Sequence, residues 1–404
     1  MKRHVTISAA IAIAAVAGLA ACSAQPSASP SATTGGTFTV DMIVGQTGPL
    51  AAAAADFSLG MQTAADGINK AGGIQGKKVV VKILDDKSDP TQAVTQLQTL
   101  INSGTKPDLV YAGISSSETL AMLPILTQNK ILSISQATAA AINVPATYPY
   151  HFGVSPTNAE GLAVIGATIK SKKYKKVALI VSNDANGADL TTTVTTDATQ
   201  NGAKVVDTEQ YDPNGVDYTV QFQRALAAKP DVIFTDGSGP AIAGRLFSAR
   251  ATAGATSIPL IGGGGISGLA LNTIASADAI KNCSIPVFSF LIQGGDTAEA
   301  ALLKPLAAAT KASGQTGTIY GPGIGFDAMR IVALAGKTAK STSGADMAKV
   351  LGKLSTPKGY SVQYPDGFSY SSSTHFPTVS GTTGGKTLIS CNTTVIDKTY
   401  IQVQ

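Results

Sequence analysis

The stretch VYAGISSSETLAMLPIL, Val110–Leu126, joins a short apolar run to an amphipathic pattern through three consecutive serines. The apolar run is typical of a buried strand, and the pattern after it is typical of a helix. A serine at the start of a helix accepts hydrogen bonds from backbone N–H groups that have no other partner. The positive end of a helix also attracts anions. Ser115, Ser116 and Ser117 are therefore predicted to cap a helix and are candidates for holding an anion.

Strand-like and helix-like segments alternate along the chain on both sides of this stretch. The first series of strand-like segments is TFTVDMIVG, KKVVVKILDD, DLVYAG and KILSIS, and the second is KKVALIVS, AKVVDTEQY, PDVIFTD and IPLIGG. Asp89 and Pro90 are predicted to begin the helix that follows the second strand. Strands that alternate with helices form parallel sheets covered on both faces. The two series predict an α/β fold with two doubly wound lobes, and a proline-rich crossover at 146–158 separates them.

The serines lie where a ligand site is expected in such a fold. Sheets of this kind bind ligands beyond the carboxyl ends of their strands. Ser115–Ser117 follow the third strand, and SQAT, Ser135–Thr138, ends the fourth. We expect both loops to face the same cleft, and at least one of the three serines to contact a ligand there.

The N-terminus indicates export. Residues 1–21 combine a short basic start with an apolar run, which is the pattern of a signal peptide. The residues that end it, Leu19-Ala20-Ala21-Cys22, resemble a bacterial lipobox, which implies cleavage before Cys22 and lipid attachment to its thiol. An ordinary signal peptide with a chance cysteine is the alternative. Residues 22–36 then form the lipidated cysteine and a flexible tether, because they contain no charge and no bulky apolar residue.

Composition limits the possible classes of function. Removing Lys2 and Arg3 with the signal leaves 28 basic and 25 acidic residues, a net charge of 28 − 25 = +3, which does not indicate a nucleic-acid partner. The mature chain is long enough for two domains. Cys283 and Cys391 remain after Cys22 is lipidated, and thiols in exported proteins can oxidise. A disulfide between them is predicted, with two buried free thiols as the alternative.

Several motifs in order carry a resemblance to a known family. GQTGPLA (45–51), NKAGGIQGKKV (69–79), DDKSDPTQAV (85–94), GISSSET and ISQAT resemble the branched-chain amino-acid-binding proteins, the solute receptors of bacterial ABC importers with the type I periplasmic-binding fold. GFDAMR (325–330) resembles that family's helix returning to the N-terminal lobe. The resemblance covers nearly the whole mature chain. It implies a monomeric binding protein without cofactor or enzymatic activity, whose partners are a carboxylate ligand and the permease subunits of an ABC importer.

The same resemblance implies an arrangement of lobes and a location. Two lobes joined by a three-strand hinge would close on the ligand. The first would comprise 37–153 and 287–356, and the second 154–286 and 357–404. The protein would sit on the extracytoplasmic face of the cell membrane, held by its lipid anchor.

The resemblance also implies which residues bind the ligand. The serine loop and the Thr138 position would give hydroxyl and N–H groups to the ligand carboxylate, and the carbonyl at the Gln136 position would take an ammonium. The candidate ligand-binding residues of both lobes are Ser115, Ser116, Ser117, Gln136, Ala137, Thr138, Asn186, Asp236 and Gly264.

Departures from the family pattern bear on the ligand. Ala53 and Asn186 stand where the family's amino-acid binders carry large aromatic residues, and Gly264 stands where they carry an acid for the ammonium. Ile114 stands where a cysteine of the family's first-lobe disulfide would be. These departures favour a bulkier carboxylic acid without an α-ammonium over a branched-chain amino acid. Asp184 or Asp236 could restore amino-acid binding if either faces the cleft.

Other classes of function have weaker support. Residues 263–268 match G-x-G-x-x-G, but no acidic residue ends a strand about twenty residues later. His151 and His375 have no Cys or His at metal-ligand spacing, so no metal site is predicted. An extracytoplasmic ligand sensor and a non-transport surface lipoprotein remain as alternatives.

Overall fold

Each strand-like segment of the first predicted series forms a strand of one sheet. The computed structural model describes residues 35–104, 106–293, 300–314, 317–379, 386–396 and 399–401. The strands are β1 (Thr37–Val44), β2 (Lys78–Asp85), β3 (Leu109–Ala112), β4 (Ser133–Ser135) and β5 (His151–Gly153). They lie in the order β2-β1-β3-β4-β5, and all are parallel.

The second series forms a second sheet. Its strands are β6 (Lys176–Ser182), β7 (Lys204–Tyr211), β8 (Val232–Thr235), β9 (Leu260–Gly262) and β10 (Cys283–Phe288). Two short strands follow, β11 (Ser369–Ser371) and β12 (Thr374–Thr378), and then β13 (Lys386–Ser390), β14 (Thr394–Ile396) and β15 (Thr399–Ile401). The second sheet has the order β13-β10-β9-β8-β6-β7, and β13 is antiparallel to β10 while the other pairs are parallel.

Helices connect the strands and cover the sheets. They are α1 (Ala51–Lys70), α2 (Pro90–Asn102), α3 (Ser116–Gln128), α4 (Asn158–Gly161), α5 (Ala163–Lys172), α6 (Ala185–Gln200), α7 (Thr219–Ala227), α8 (Pro240–Thr252), α9 (Leu271–Ile274), α10 (Ala300–Ala312), α11 (Tyr320–Ala339) and α12 (Gly344–Leu351). Short 3-10 turns lie at Ala140–Ile142, Ala255–Ser257 and Ser289–Leu291. We call each sheet with its helices a lobe. The predicted α/β fold with two doubly wound lobes is confirmed.

The start of α2 shows how local sequence sets a helix boundary. The carboxylate of Asp89 accepts hydrogen bonds from the N–H groups of Thr91 and Gln92, at 2.8 and 2.9 Å. Pro90 occupies the first helical position, where its missing N–H costs nothing. The predicted start of this helix is therefore confirmed.

The GFDAMR motif lies in α11, which returns to the first lobe and packs against α1. The two helices approach closely because glycines face the opposing backbone. A side chain at Gly325 would collide with the carbonyl of Phe57, and one at Gly60 would collide with the carbonyl of Pro322. The predicted return of this helix to the first lobe is confirmed.

The chain passes between the lobes three times, after β5, after β10 and between β12 and β13. Asp327 of α11 anchors the segment that leads from α12 to β11. Its buried carboxylate accepts hydrogen bonds from the hydroxyl of Ser361 at 2.7 Å and from the N–H groups of Val362 and Gln363 at 2.8 and 2.9 Å. Several donors on one buried carboxylate fix the backbone of this segment.

One segment packs differently from its predicted lobe. The sequence placed 357–404 with the second lobe, but β12 lies against β5 of the first. The His375 ring stacks on Phe152 at 4.0 Å between centroids, and Phe376 is buried in a core cluster of the first lobe. Burial of these two rings explains why the hairpin stays with the first sheet. The other lobe boundaries stay predictions.

Cys283 opens β10 and Cys391 directly follows β13. The structure joins them in a disulfide with their Cα atoms 5.2 Å apart, and the N–H of Cys391 also donates to the carbonyl of Cys283 at 2.9 Å. The antiparallel pairing of β10 and β13 brings the two residues together. The cross-link therefore fixes one end of β13 to the second sheet.

The predicted export signal at 1–21, Cys22 and most of the tether lie outside the described residues. Among the helices that the structure does describe, none is both long enough and apolar enough to cross a bilayer.

Candidate ligand-binding site

A cavity of about 260 Å³ lies between the two lobes, where the carboxyl ends of their parallel strands meet. Its volume is slightly below the range of about 300–1,000 Å³ that is typical of pockets for drug-sized ligands, so a small solute fits it best. All nine predicted ligand-binding residues line this cavity: Ser115, Ser116, Ser117, Gln136, Ala137, Thr138, Asn186, Asp236 and Gly264. The structure brings them together, and their contact with a ligand stays a prediction.

Ser115 caps α3, as the sequence predicted. Its hydroxyl accepts a hydrogen bond from the N–H of Glu118 at 3.2 Å. The Glu118 carboxylate in return accepts from the N–H groups of Ile114 and Ser115, at 2.8 and 3.0 Å. This reciprocal arrangement is a capping box. Because Glu118 uses the two N–H groups just before the helix, an anionic ligand at this loop has to use Ser116 and Ser117.

The other two serine hydroxyls each accept one hydrogen bond from the protein. Ser116 accepts from the N–H of Ala139 at 3.3 Å, and Ser117 accepts from the N–H of Ala185 at 3.2 Å. A hydroxyl that accepts one bond still has its own proton to donate. Both serines can therefore donate to a ligand oxygen in the cavity.

Asp86 and Glu118 are buried close to one another beneath the serine loop. Neither is exposed to solvent, and each has one carboxylate oxygen without a hydrogen-bond partner among the described residues. Burial, and then the charge of Glu118, raise the pKa of Asp86 to about 7. Burial also raises the pKa of Glu118. At least one of the two carboxyl groups is therefore expected to hold a proton near neutral pH.

Asn186 connects the two lobes at the cavity. Its side-chain oxygen accepts hydrogen bonds from Asn158 at 3.0 Å and from the Thr138 hydroxyl at 3.4 Å. Its side-chain nitrogen donates to Asp236 at 3.4 Å. The long distances from Asn186 to Thr138 and to Asp236 leave these groups weakly engaged.

The two aspartates proposed as partners for an ammonium both line the cavity. The Asp184 carboxylate caps α6 and accepts from the N–H of Gly187 at 2.9 Å and from the Ser182 hydroxyl at 2.6 Å. Asp236 follows β8, is 6% exposed and accepts from the N–H of Gly265 at 2.7 Å. Burial raises the pKa of Asp236. The protein already supplies donors to both carboxylates.

Lys386, the first residue of β13, lines the cavity and was not predicted from the sequence. It pairs in register with Phe288 of β10, and its Nζ lies 4.7 Å from the centroid of the Phe288 ring. Burial lowers the pKa of its ammonium to about 8. A single lysine after a glycine-rich stretch gave no local signal, because its burial depends on which distant strand it pairs with.

Other cavity residues were also missed or misplaced. Asn158 and Tyr320 line the cavity. Near the first loop, Pro49 and Leu50 line it, whereas Ala53 packs against the hydrophobic core. Ala53 therefore does not face the cavity, and Pro49 and Leu50 are the residues of this region that do.

The G-x-G-x-x-G match does not have the structure of a dinucleotide-binding loop. Residues 263–268 form turns after β9, and the next helix, α9, has only four residues. A dinucleotide site needs a long helix that opens at the glycines. The glycine loop instead lines the cavity and positions Gly265 to donate to Asp236.

Comparison with known proteins places this chain in a family. The profile of the family described as Periplasmic binding protein matches residues 37–377. A Leu/Ile/Val-binding protein of Rhizobium johnstonii is 28% identical over 237 residues, which are 57% of this chain and 62% of the relative. The match thus spans less than two thirds of that relative's length.

Solved structures share the fold at low sequence identity. A solute-binding protein of an ABC transporter from Rhodopseudomonas palustris, in complex with 3,4-dihydroxybenzoic acid, has a TM-score of 0.73 at 22% identity and covers 90% of this chain and 95% of its own. A branched-chain amino acid transporter substrate-binding protein of Streptococcus pneumoniae, in complex with isoleucine, has a TM-score of 0.69 at 20% identity, with coverage of 90% and 97%.

The chain belongs to the periplasmic binding protein family. The predicted resemblance to the branched-chain amino-acid-binding proteins is confirmed by the curated relatives, and the type I fold by the structural neighbours. Proteins of this family bind solutes and are not enzymes, which agrees with the prediction from the sequence.

Proposed function

We propose that this protein is the extracytoplasmic solute-binding lipoprotein of an ABC importer and that it binds a small carboxylate-bearing solute between its lobes. The cavity carries the proposal. Loops from both lobes meet there at the ends of parallel strands, and they bring nine predicted ligand residues around about 260 Å³. Closure of two lobes on a solute would give a permease a shape to recognise.

The ligand class follows from the donors in the cavity. Ser116 and Ser117 offer hydroxyl protons on the first-lobe side, and Thr138 commits its proton only to a long bond of 3.4 Å to Asn186. Hydroxyl and N–H donors at a helix N-terminus suit a carboxylate. The relatives include proteins named for leucine, isoleucine and valine and a structure holding an aromatic acid, so both ligand types are compatible with the fold.

The experiment that tests this proposal is mass spectrometry of the solute that copurifies with the mature protein, followed by thermal denaturation with the identified solute added. A ligand that binds only the folded state raises the melting temperature. We expect a carboxylate-bearing compound and a concentration-dependent rise. A protein that copurifies with no solute, and whose melting temperature no carboxylate changes, would instead be a surface lipoprotein without this function.

Membrane attachment needs a separate test, because Cys22 lies outside the described residues. We expect Cys22→Ser to release the protein from the membrane fraction, since lipid chains provide the hold. Retention of the variant in that fraction would contradict the anchor and leave solute binding unaffected.

A further inference from the structure

Lys386 is the only basic residue lining the cavity in the described part of the chain. The other charged side chains of the lining are Asp184, Asp212 and Asp236. Lys386 is only 7% exposed, although it carries a charge. A buried charge is costly unless another charge or several hydrogen bonds compensate it. The position of this ammonium therefore needs a physical explanation.

The protein itself compensates this ammonium poorly. Its Nζ lies over the Phe288 ring at 4.7 Å, which is a cation–π contact. Within the described ranges, no residue accepts a hydrogen bond from Nζ or forms a salt bridge with it. An ammonium has three N–H donors. All three N–H groups are therefore available to a molecule in the cavity.

The acidic side chains of the cavity are in the opposite situation. Asp184 receives hydrogen bonds from Gly187 and Ser182, and Asp236 receives them from Gly265 at 2.7 Å and from Asn186 at 3.4 Å. The charge of Asp236 favours the charged form of Lys386, but Asp236 makes no direct contact with it. The Lys386 ammonium is therefore the charged group of the cavity with the least compensation from the protein. An anion is the group that would compensate it.

Two glycines leave space for that anion beside the ammonium. A Cβ atom at Gly161 would lie 3.4 Å from Nζ, and one at Gly264 would lie 3.8 Å from it. A larger side chain at either position would fill the volume in front of the ammonium. The glycines keep Nζ open to the cavity.

We propose that Lys386 is a specificity-determining ligand contact, whose ammonium pairs with an acid group of the solute and disfavours a solute with its own ammonium at this place. This inference rests on the proposed function and narrows it. The ligand class becomes carboxylic acids without an α-ammonium, such as keto, hydroxy or aromatic acids. Charge-assisted hydrogen bonds favour the acid group, and repulsion between like charges disfavours an α-amino acid.

Matched solutes test this selectivity. The probes are leucine and its α-keto acid, which differ at the ammonium, together with benzoate and 3,4-dihydroxybenzoate. Calorimetry and thermal denaturation are measured on the mature protein, on Lys386→Met and Lys386→Arg, and on Lys353→Met as a control at an exposed lysine. We expect wild type to bind at least one acid and to reject leucine. Lys386→Met should bind that acid about 10- to 100-fold more weakly, whereas Lys386→Arg and the control should retain binding.

The stability of the ligand-free protein gives a second readout. Methionine removes a buried charge that has no ionic partner and keeps a side chain of similar length, so Lys386→Met should raise the melting temperature without ligand by a few degrees. A lysine with a purely structural role would instead lower it when replaced.

Two results would overturn the inference and leave the proposed function standing. In the first, leucine binds wild type and Lys386→Met with the same affinity. In the other, an acid binds Lys386→Met as tightly as it binds wild type. If no probe binds wild type and no solute copurifies, the proposed function fails, and this inference fails with it.

Discussion

The hydroxyl of Ser117 in the first lobe accepts a hydrogen bond from the backbone N–H of Ala185 in the second lobe, at 3.2 Å. Ala185 is the first residue of α6, and N–H groups at the start of a helix lack partners within the helix. A side chain of one lobe therefore helps to cap a helix of the other. The two lobes touch at this point, and the contact belongs to the same loop that is predicted to hold the ligand.

Ser117→Ala should favour the open arrangement of the lobes. It removes one hydrogen bond between the lobes, worth about 0.5–1.5 kcal/mol, and also the hydroxyl proposed to donate to the ligand carboxylate, so affinity for the bound acid should fall by at least about 10-fold. Small-angle scattering of the liganded protein should show a larger radius of gyration for part of the population. Ser171→Ala, at an exposed serine of α5, should change neither measurement. Unchanged affinity and scattering for Ser117→Ala would show that this bond does not contribute to closure.

Thr138→Val should weaken acid binding about 10- to 100-fold, which is the effect of removing one hydrogen bond to a charged group. The ligand-free melting temperature should change little, because the Thr138 hydroxyl makes only a long bond to Asn186, at 3.4 Å. Calorimetry measures the first effect and thermal denaturation the second. Affinity equal to wild type would remove Thr138 from the ligand site.

The double variant Thr138→Val/Lys386→Met tests whether both residues contact the same acid group, through its loss of binding free energy compared with the two single variants. Effects of residues that share a partner do not add, whereas those of independent contacts add within about 0.3–0.5 kcal/mol. Non-additive losses would place one carboxylate between the lobes. Additive losses would indicate two separate polar groups on the solute.

Acid binding should weaken as the pH rises above about 8. Burial lowers the pKa of Lys386 to about 8, so the ammonium loses its proton in this range. A bound carboxylate favours the charged form, and affinity should therefore be highest below pH 8 and fall by up to tenfold per pH unit above it. Three acidic side chains also line the cavity, Asp184, Asp212 and Asp236, so the variant is needed to assign the loss to Lys386. Calorimetry between pH 6 and 10 should show this loss in wild type and its absence in Lys386→Met; the same loss in both proteins would assign it to another group.

The contribution of Asp86 to the stability of the folded protein should decrease as the pH rises from about 4 to about 7. Burial raises the pKa of Asp86 to about 7, so the folded state holds a proton that the unfolded state releases near pH 3.9. At Asp86 the unfolded state then binds fewer protons in this window, and this contribution falls by up to about 1.4 kcal/mol per pH unit. Urea denaturation of wild type and Asp86→Asn at pH 5 and pH 7.5 isolates it. The stability difference between pH 7.5 and pH 5 should shift in favour of pH 7.5 in Asp86→Asn, and an equal difference in both proteins would contradict the role of Asp86.

Replacing both Cys283 and Cys391 by serine should lower stability by about 2–4 kcal/mol, the usual contribution of a disulfide. Because the bond fixes β13, which carries Lys386, acid affinity should also fall. Lys386→Met provides the control. In this variant, replacing the two cysteines should lower acid affinity less than it does in the wild-type protein. If both thiols react with an alkylating reagent in unreduced, denatured protein, the two cysteines are not bonded.

Local patterns determined most of the fold. The eight predicted strands, the start of α2 at Asp89 and the cap at Ser115 depend on residues near one another in the sequence, and the structure has them where they were predicted. The strand-end rule then placed Ser115–Ser117 and Thr138 at one edge, because the carboxyl ends of parallel strands meet there. Periodicity and capping act over a few residues, so they can be predicted from one sequence.

Tertiary structure decided what the cavity can recognise. Lys386 is buried because β13 pairs antiparallel with β10. Ser117 contacts Ala185 because the two lobes come together at this point. The hairpin that carries Phe376 joined the first lobe for the same kind of reason, through burial of rings against a distant strand. The sequence by itself determined two sheets of mainly parallel strands and the serine loop at the edge of the first. Only the tertiary structure decided which cation lines the cavity, because desolvation and pairing depend on atoms that the chain brings together from far apart in the sequence.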